Sequence, residues 1–192
     1  MINKEIKDIT FADLLGMQKQ LDGAVAKPRK NGFVPRLRNR KDILLSIDDE
    51  FQEWARELPD EYNFKTWKQK EYSRERELEE LTDILFFFLQ YCHYAEEFAK
   101  KVCGKIEIEV TDKQIKELEK IFLNTEVIDC NLGTKIYMFK HELWSKEVMD
   151  GKAFKQYIDI VNCRGFSKEE LINCYCKKWN KNMERINGDW SL

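Results

Sequence analysis

The chain has 192 residues, of which 43% are hydrophobic and 35% charged, and its formal net charge is −2. This length suits one domain with a substantial core, and the near balance of charges argues against a surface for nucleic-acid polymers. Only three prolines and eight glycines interrupt the chain. We therefore expect an all-α helical bundle, formed as a single domain over residues 1–192. Its four-helix core would comprise roughly residues 8–103 and 167–187, with additional helices within 111–163.

The first three helices are predicted from apolar residues at helical spacing. Thr10 is the expected N-cap of the first helix. The second helix runs from about Lys41 to Leu58, where Pro59 ends it because the residue before a proline resists helical geometry. The third is long, from about Ser73 to Val102, and its apolar stripe predicts a buried face.

The second half of the chain carries shorter helical patterns at about 112–123, 134–149, 151–163 and 167–187. Thr111 and Ser167 are the expected N-caps, and Ser167 opens an S-x-x-E capping box. The segment IEIEVT at 106–111 alternates apolar and polar residues, so we expect an extended connector there.

Targeting signals and special cysteine chemistry are not apparent in the sequence. The six cysteines form no C-x-x-C pair, the N-terminus carries no apolar signal, and no apolar run could span a membrane. We expect reduced cysteines, a cytoplasmic protein and no membrane contact. A basic segment at 23–40 with two prolines is expected to be a solvated connector, with phosphate attraction as the alternative.

Paired carboxylates on the second and third helices carry the main chemical signal. Glu50 and Glu53 lie three residues apart, as do Glu80 and Asp83, so each pair shares one helix face beside an apolar stripe. Either pair alone is typical of a solvated face. If the two stripes pack together, four carboxylates converge, and a hard divalent cation such as Mg²⁺ would relieve their repulsion. A magnesium site suited to phosphate-ester chemistry is therefore predicted.

Five short motifs follow one another in an order that resembles the dimeric, all-α dUTPase family of trypanosomatids, bacteria and phages. This family belongs to the wider group of all-α NTP pyrophosphatases that includes MazG. The motifs are LGMQKQLD at 15–22, E-x-x-E at 50–53, FKTWK at 64–68, EELTD at 79–83 and YCKKWNKNMER at 175–185.

The resemblance implies a reaction and a set of residue roles. The substrate would be dUTP, and also dUDP, cleaved to dUMP by metal-activated water that attacks the α-phosphate, with Glu53 as the base. Two or three Mg²⁺ ions would be held by Glu50, Glu53, Glu80 and Asp83. Phosphate contacts would come from Lys178, Asn182, Arg185, Lys65 and Lys68, and the base would contact Gln18, Trp67 and Phe87.

Some points stay open in the sequence. Phe86 stands where the family often has histidine, so a relative that acts on dCTP or a modified nucleotide is an alternative to a dUTPase. An interaction protein is another, because phage members of the family bind bacterial repressors and the basic loop at 27–41 could dock one. Three consecutive phenylalanines, Phe86, Phe87 and Phe88, cannot all face one neighbouring helix, which predicts a homodimer.

Overall fold

A computed structural model of the chain describes residues 5–102, 105–124, 131–145 and 151–188. Every regular element in these residues is helical, which confirms the predicted all-α fold. A short 3₁₀ helix, Ile6–Asp8, precedes seven α-helices: α1 Phe11–Val25, α2 Arg40–Glu57, α3 Arg74–Val102, α4 Lys105–Leu123, α5 Leu132–Ser145, α6 Gly151–Cys163 and α7 Lys168–Asn187.

The helices begin at side chains that satisfy their free backbone N–H groups. Thr10 forms a capping box at α1, and Asn39 forms one with Asp42 at α2. At α7 the backbone N–H of Glu170 donates to Ser167 Oγ at 3.1 Å, and the Ser167 N–H donates to the Glu170 carboxylate at 2.8 Å. The predicted caps at Thr10 and Ser167 are therefore confirmed.

Two expectations about the second half of the chain are wrong. Residues 106–111 belong to α4, and Thr111 lies inside that helix rather than at its start. A lone extended segment would leave its backbone groups unpaired, whereas a helix pairs them locally, so five alternating residues do not outweigh the adjoining helical pattern. The second wrong expectation is that every cysteine is reduced. Cys163 takes part in a disulfide bond whose other cysteine lies outside the described residues.

The chain divides into two compact units, of which the first comprises Met1–Tyr91 and Leu171–Leu192. The core of this unit is formed by buried side chains of α1, α2, the first part of α3 and most of α7. The Trp179 indole N–H donates to the Met17 carbonyl at 2.7 Å and joins α7 to α1. Trp54 of α2 donates to the buried carboxylate of Glu77 on α3 at 3.2 Å. These polar contacts fix the register of helices whose packing is otherwise apolar.

The second unit, Cys92–Glu170, is organised around α6, which contacts both α4 and α5. The side chains of Phe154 and Tyr157 on α6 are almost fully buried. Lys135 of α5 pairs with Asp159 of α6 at 2.6 Å. Helix α6 ends where Gly165 adopts a φ of 71°, a left-handed conformation that glycine enters at little cost.

None of the described helices combines the length and apolar character needed to cross a membrane. The prediction of a single domain stays a prediction.

Candidate metal centre

Three carboxylates from two helices of the first unit converge. Glu50 of α2 and Glu80 and Asp83 of α3 each offer an oxygen, and these oxygens all lie within 4.8 Å of one another. Glu80 and Asp83 are three residues apart and therefore share a helix face. All three side chains are half-buried. The set provides hard oxygen donors on rigid elements, which are the ligands that Mg²⁺ prefers.

The pKa values of these carboxyl groups report a crowded and partly dry site. Burial, followed by the charge of Asp83, raises the pKa of Glu50 to about 8 and that of Glu80 to about 7. Burial also raises the pKa of Asp83, while Lys178 opposes that shift. Each group therefore resists ionisation beside the others. A bound divalent cation would remove this penalty, so the donor set fits such an ion.

Glu53, the fourth predicted ligand, lies outside this group of three converging oxygens. It follows Glu50 by three residues on α2, and its side chain is exposed. Its charge still contributes to the raised pKa of Glu50, Glu80 and Asp83. Glu53 is therefore close enough to act on the site electrostatically while remaining open to solvent, and its role as ligand and base stays a prediction.

Lys178 of α7 contacts the acidic cluster directly. Its Nζ forms an ion pair with Asp83 and donates to the Glu79 carbonyl at 3.2 Å. Asn182 and Arg185 follow Lys178 by four and seven residues, which places the three side chains on one face of α7. Asn182 is half-buried and Arg185 is exposed. A half-buried lysine at the cluster, followed by an amide and a guanidinium, suits a row of phosphate groups.

The connector between α2 and α3 carries the predicted contacts Lys65, Trp67 and Lys68. Lys65 is half-buried, and Lys68 and Trp67 are exposed, with 73% of Trp67 open to solvent. At the end of the connector, the Tyr72 hydroxyl donates to Glu77 at 2.8 Å. Lys65, Trp67 and Lys68 are accessible to a ligand, and their binding roles stay predictions.

Gln18 on α1, a predicted base contact, is buried, with only 3% of its surface exposed. Its Nε2 donates to Asp22 at 2.8 Å, and its Oε1 accepts from the Tyr175 hydroxyl at 3.0 Å. Burial raises the pKa of Tyr175, which keeps this hydroxyl a donor. Both ends of the amide are thus engaged within the protein. The hydrogen bond between Gln18 and Tyr175 joins α1 to α7. A contact of Gln18 with the nucleotide base stays a prediction.

Phe87 is half-buried and lies beneath the guanidinium of Arg38, which no sequence motif marks as a site residue. The Cζ of Arg38 is 5.0 Å from the centre of the Phe87 ring, within the range of a cation–π contact. Gln90 follows Asp83 by seven residues and shares its helix face, but no motif marks it as a site residue. The connector that holds Arg38 has no periodicity, so no sequence pattern could have located that side chain.

These features define an all-α protein with an acidic site that suits a divalent cation and a neighbouring basic helix face that suits an anion. A dUTPase family model matches residues 10–190, which is almost the whole chain. The chain therefore belongs to the dUTPase family, and this membership implies a hydrolase that acts on nucleoside triphosphates. No curated protein matches the chain at a significant level.

Proposed function

We propose that this protein is a Mg²⁺-dependent dUTP diphosphatase that hydrolyses dUTP, and also dUDP, to dUMP. The observation that carries the proposal is the convergence of Glu50, Glu80 and Asp83 oxygens within 4.8 Å in a member of the dUTPase family. Kinship with the MazG-like pyrophosphatases is part of the proposal.

The metal assignment rests on the chemistry of the donor set. Glu50, Glu80 and Asp83 would hold Mg²⁺, with Glu53 as a further ligand where two or three ions bind. When bound, Mg²⁺ supplies positive charge that neutralises phosphate oxygens and acidifies water. The raised pKa of Glu50 supports this assignment, because Lys178 offsets only part of the acidic charge of the cluster.

Glu53 has the exposure and position expected of a general base. Its carboxylate is open to solvent, lies on the same helix as Glu50 and acts electrostatically on the converging carboxylates. A general base must come within hydrogen-bond reach of the attacking water. We infer that Glu53 accepts a proton from the water that attacks the α-phosphate.

The phosphate groups would lie along α7. Lys178 neutralises Asp83 in this structure, and it can turn to a phosphate oxygen once the carboxylates hold a cation. Asn182 and Arg185 extend the same face, where the guanidinium can contact two oxygens of one phosphate. Lys65 and Lys68, on the exposed connector between α2 and α3, would add positive charge to the phosphate site.

Base selectivity is the finer part of the proposal. Phe86 is only 5% exposed and stacks on Tyr175, with ring centres 4.1 Å apart. This ring therefore packs in the core, and its replacement of the family's histidine alters packing as well as polarity. Side chains that remain accessible would select the base. One of them is Phe87, which is half-buried.

We further propose a homodimer with Phe87 at or near its interface. Phe86 and Phe88 are both buried within a single chain, whereas Phe87 keeps part of its ring accessible. Light scattering at micromolar concentration tests this assembly, and a monomeric mass contradicts it.

A nucleotide panel tests the activity. Purified protein with Mg²⁺ is given dUTP, dCTP, dTTP, dATP and dGTP, and pyrophosphate release is measured. We expect release from dUTP that Glu80→Gln abolishes and that Glu75→Gln leaves intact, because Glu75 is an exposed carboxylate on the same helix. No release from any nucleotide would reject the enzymatic proposal. Similar rates with several bases would reject the dUTP assignment alone.

A further inference from the structure

Arg38 lies about one helical turn beyond the acidic cluster. Its guanidinium contacts Phe87, which follows Asp83 by four residues on α3, and Ser46, which precedes Glu50 by four residues on α2. Residues four apart share a helix face and are separated by about 6 Å along the helix axis. The Arg38 side chain therefore contacts α2 and α3 on the same faces that carry the carboxylates, one turn further along each helix. It is exposed to solvent.

The contacts between α7 and α3 show how the two helices are oriented. Tyr175 contacts Phe86, while Lys178, later in α7, contacts the earlier residue Asp83. The two helices are thus antiparallel, and Arg185 extends toward the start of α3. A nucleotide whose phosphates lie between the cluster and this α7 face would direct its nucleoside the other way, toward Phe87 and Arg38.

A chain of hydrogen bonds holds the guanidinium in place. Gln90 Nε2 donates to Asp22 Oδ1 at 2.7 Å, and Gln90 Oε1 accepts from Arg38 Nη1 at 3.0 Å. Arg38 Nη2 also donates to the Asp42 carbonyl at 3.3 Å and contacts Ser46 Oγ. A guanidinium has five N–H donors in a rigid plane. Its neighbours fix that plane over Phe87 and leave it accessible from solvent.

We propose that Arg38 is a specificity-determining residue that donates a hydrogen bond to the carbonyl oxygen at position 4 of a pyrimidine base. This inference rests on the proposed function, because the direction of the nucleoside follows from phosphates at the metal centre. Arginine offers donors only, so it pairs with the 4-keto oxygen of uracil and opposes the 4-amino group of cytosine. A binding site whose polar group would be left unpaired by one base discriminates strongly against the nucleotide that carries that base.

The test compares kcat and KM for dUTP and dCTP in the wild type, Arg38→Gln and Arg38→Lys. We expect Arg38→Gln to reduce the dUTP-to-dCTP ratio of kcat/KM by roughly 10- to 100-fold, mainly through KM for dUTP, as loss of a charged hydrogen bond predicts. Arg38→Lys should restore part of the ratio because it keeps a charged donor. Arg36→Gln is the matched control, since Arg36 lies in the same connector and pairs with Asp42.

A modified substrate keeps the test valid if Arg38→Gln does not fold. Sulfur accepts hydrogen bonds weakly, so wild-type enzyme should show a KM for 4-thio-dUTP roughly tenfold above that for dUTP. An equal KM for the two substrates would overturn the role of Arg38, as would an unchanged base ratio in a folded Arg38→Gln variant. In both cases dUTP is still cleaved and the proposed function stands. No cleavage of dUTP by the wild type would instead reject the proposed function itself.

Discussion

Lys178 of α7 forms an ion pair with Asp83 of α3 and so supplies a positive charge to the acidic cluster. Neither side chain is exposed, and together they connect the carboxylate face of α3 with the cationic face of α7. Burial alone would make a lone carboxylate at this place hard to ionise, and the ammonium partly offsets that cost. The pair thus links the proposed metal site to the proposed phosphate site.

The first prediction concerns Lys178→Met, which keeps the aliphatic stem and removes the charge. We expect KM for dUTP to rise by roughly tenfold and kcat to fall, because one charged contact to phosphate is lost. Steady-state pyrophosphate release measures both constants. Lys177→Met is the control, since Lys177 is the exposed neighbour on another face of α7. Equal kinetics for the two variants would remove Lys178 from the phosphate site.

The second prediction concerns Glu50→Gln. The variant should bind Mg²⁺ at least roughly tenfold more weakly, because a ligand charge is lost. Without metal at pH 8 it should melt roughly 2–4 °C above the wild type, because a destabilising charge is removed from the cluster. Calorimetric titration with Mg²⁺ and thermal unfolding measure the two effects. A variant that melts below the wild type under these conditions would contradict the crowded-charge account.

The third prediction concerns pH. The pKa of Glu50 is raised to about 8 and that of Glu80 to about 7, so the folded protein binds more protons than the unfolded chain between about pH 4.5 and 8. Stability of the metal-free protein should therefore decrease as pH rises through this window. Mg²⁺ competes with these protons, so its affinity should increase from pH 6 to 8.

Urea unfolding across this window, with and without Mg²⁺, measures both trends. A saturating concentration of Mg²⁺ should oppose the decline, because the ion binds the folded state. Glu50→Gln should show a shallower decline than the wild type. Metal-free stability that increases between pH 5 and 8 would exclude the assigned pKa shifts as its main determinant.

The fourth prediction concerns Glu77, a buried carboxylate that is not one of the three converging groups. It accepts hydrogen bonds from the Trp54 indole and the Tyr72 hydroxyl. Glu77→Ala leaves the buried indole N–H without this acceptor and opens a cavity, so we expect a loss of about 2–4 kcal/mol in the free energy of unfolding. Urea unfolding measures the loss. Glu75→Ala, at an exposed position, should change stability by less than about 0.5 kcal/mol.

The sequence by itself determined the helical character and most helix positions. Apolar spacing and the caps at Thr10 and Ser167 are local properties, and each can be recognised within a few residues of chain. The same locality explains why Glu80 and Asp83 could be assigned to one helix face. It also explains the error at 106–111, where a short alternating pattern predicts an extended connector although the adjoining residues carry a helical pattern.

Only the tertiary structure decided which side chains meet. Glu50 joins Glu80 and Asp83 because α2 and α3 pack together, while Glu53 remains exposed beside them. Gln18 is held between Asp22 and Tyr175, a residue 157 positions along the chain. Such contacts depend on helix packing and on the path of connectors, which no local pattern contains. For the same reason the position of Arg38 over Phe87 appears only in the folded chain.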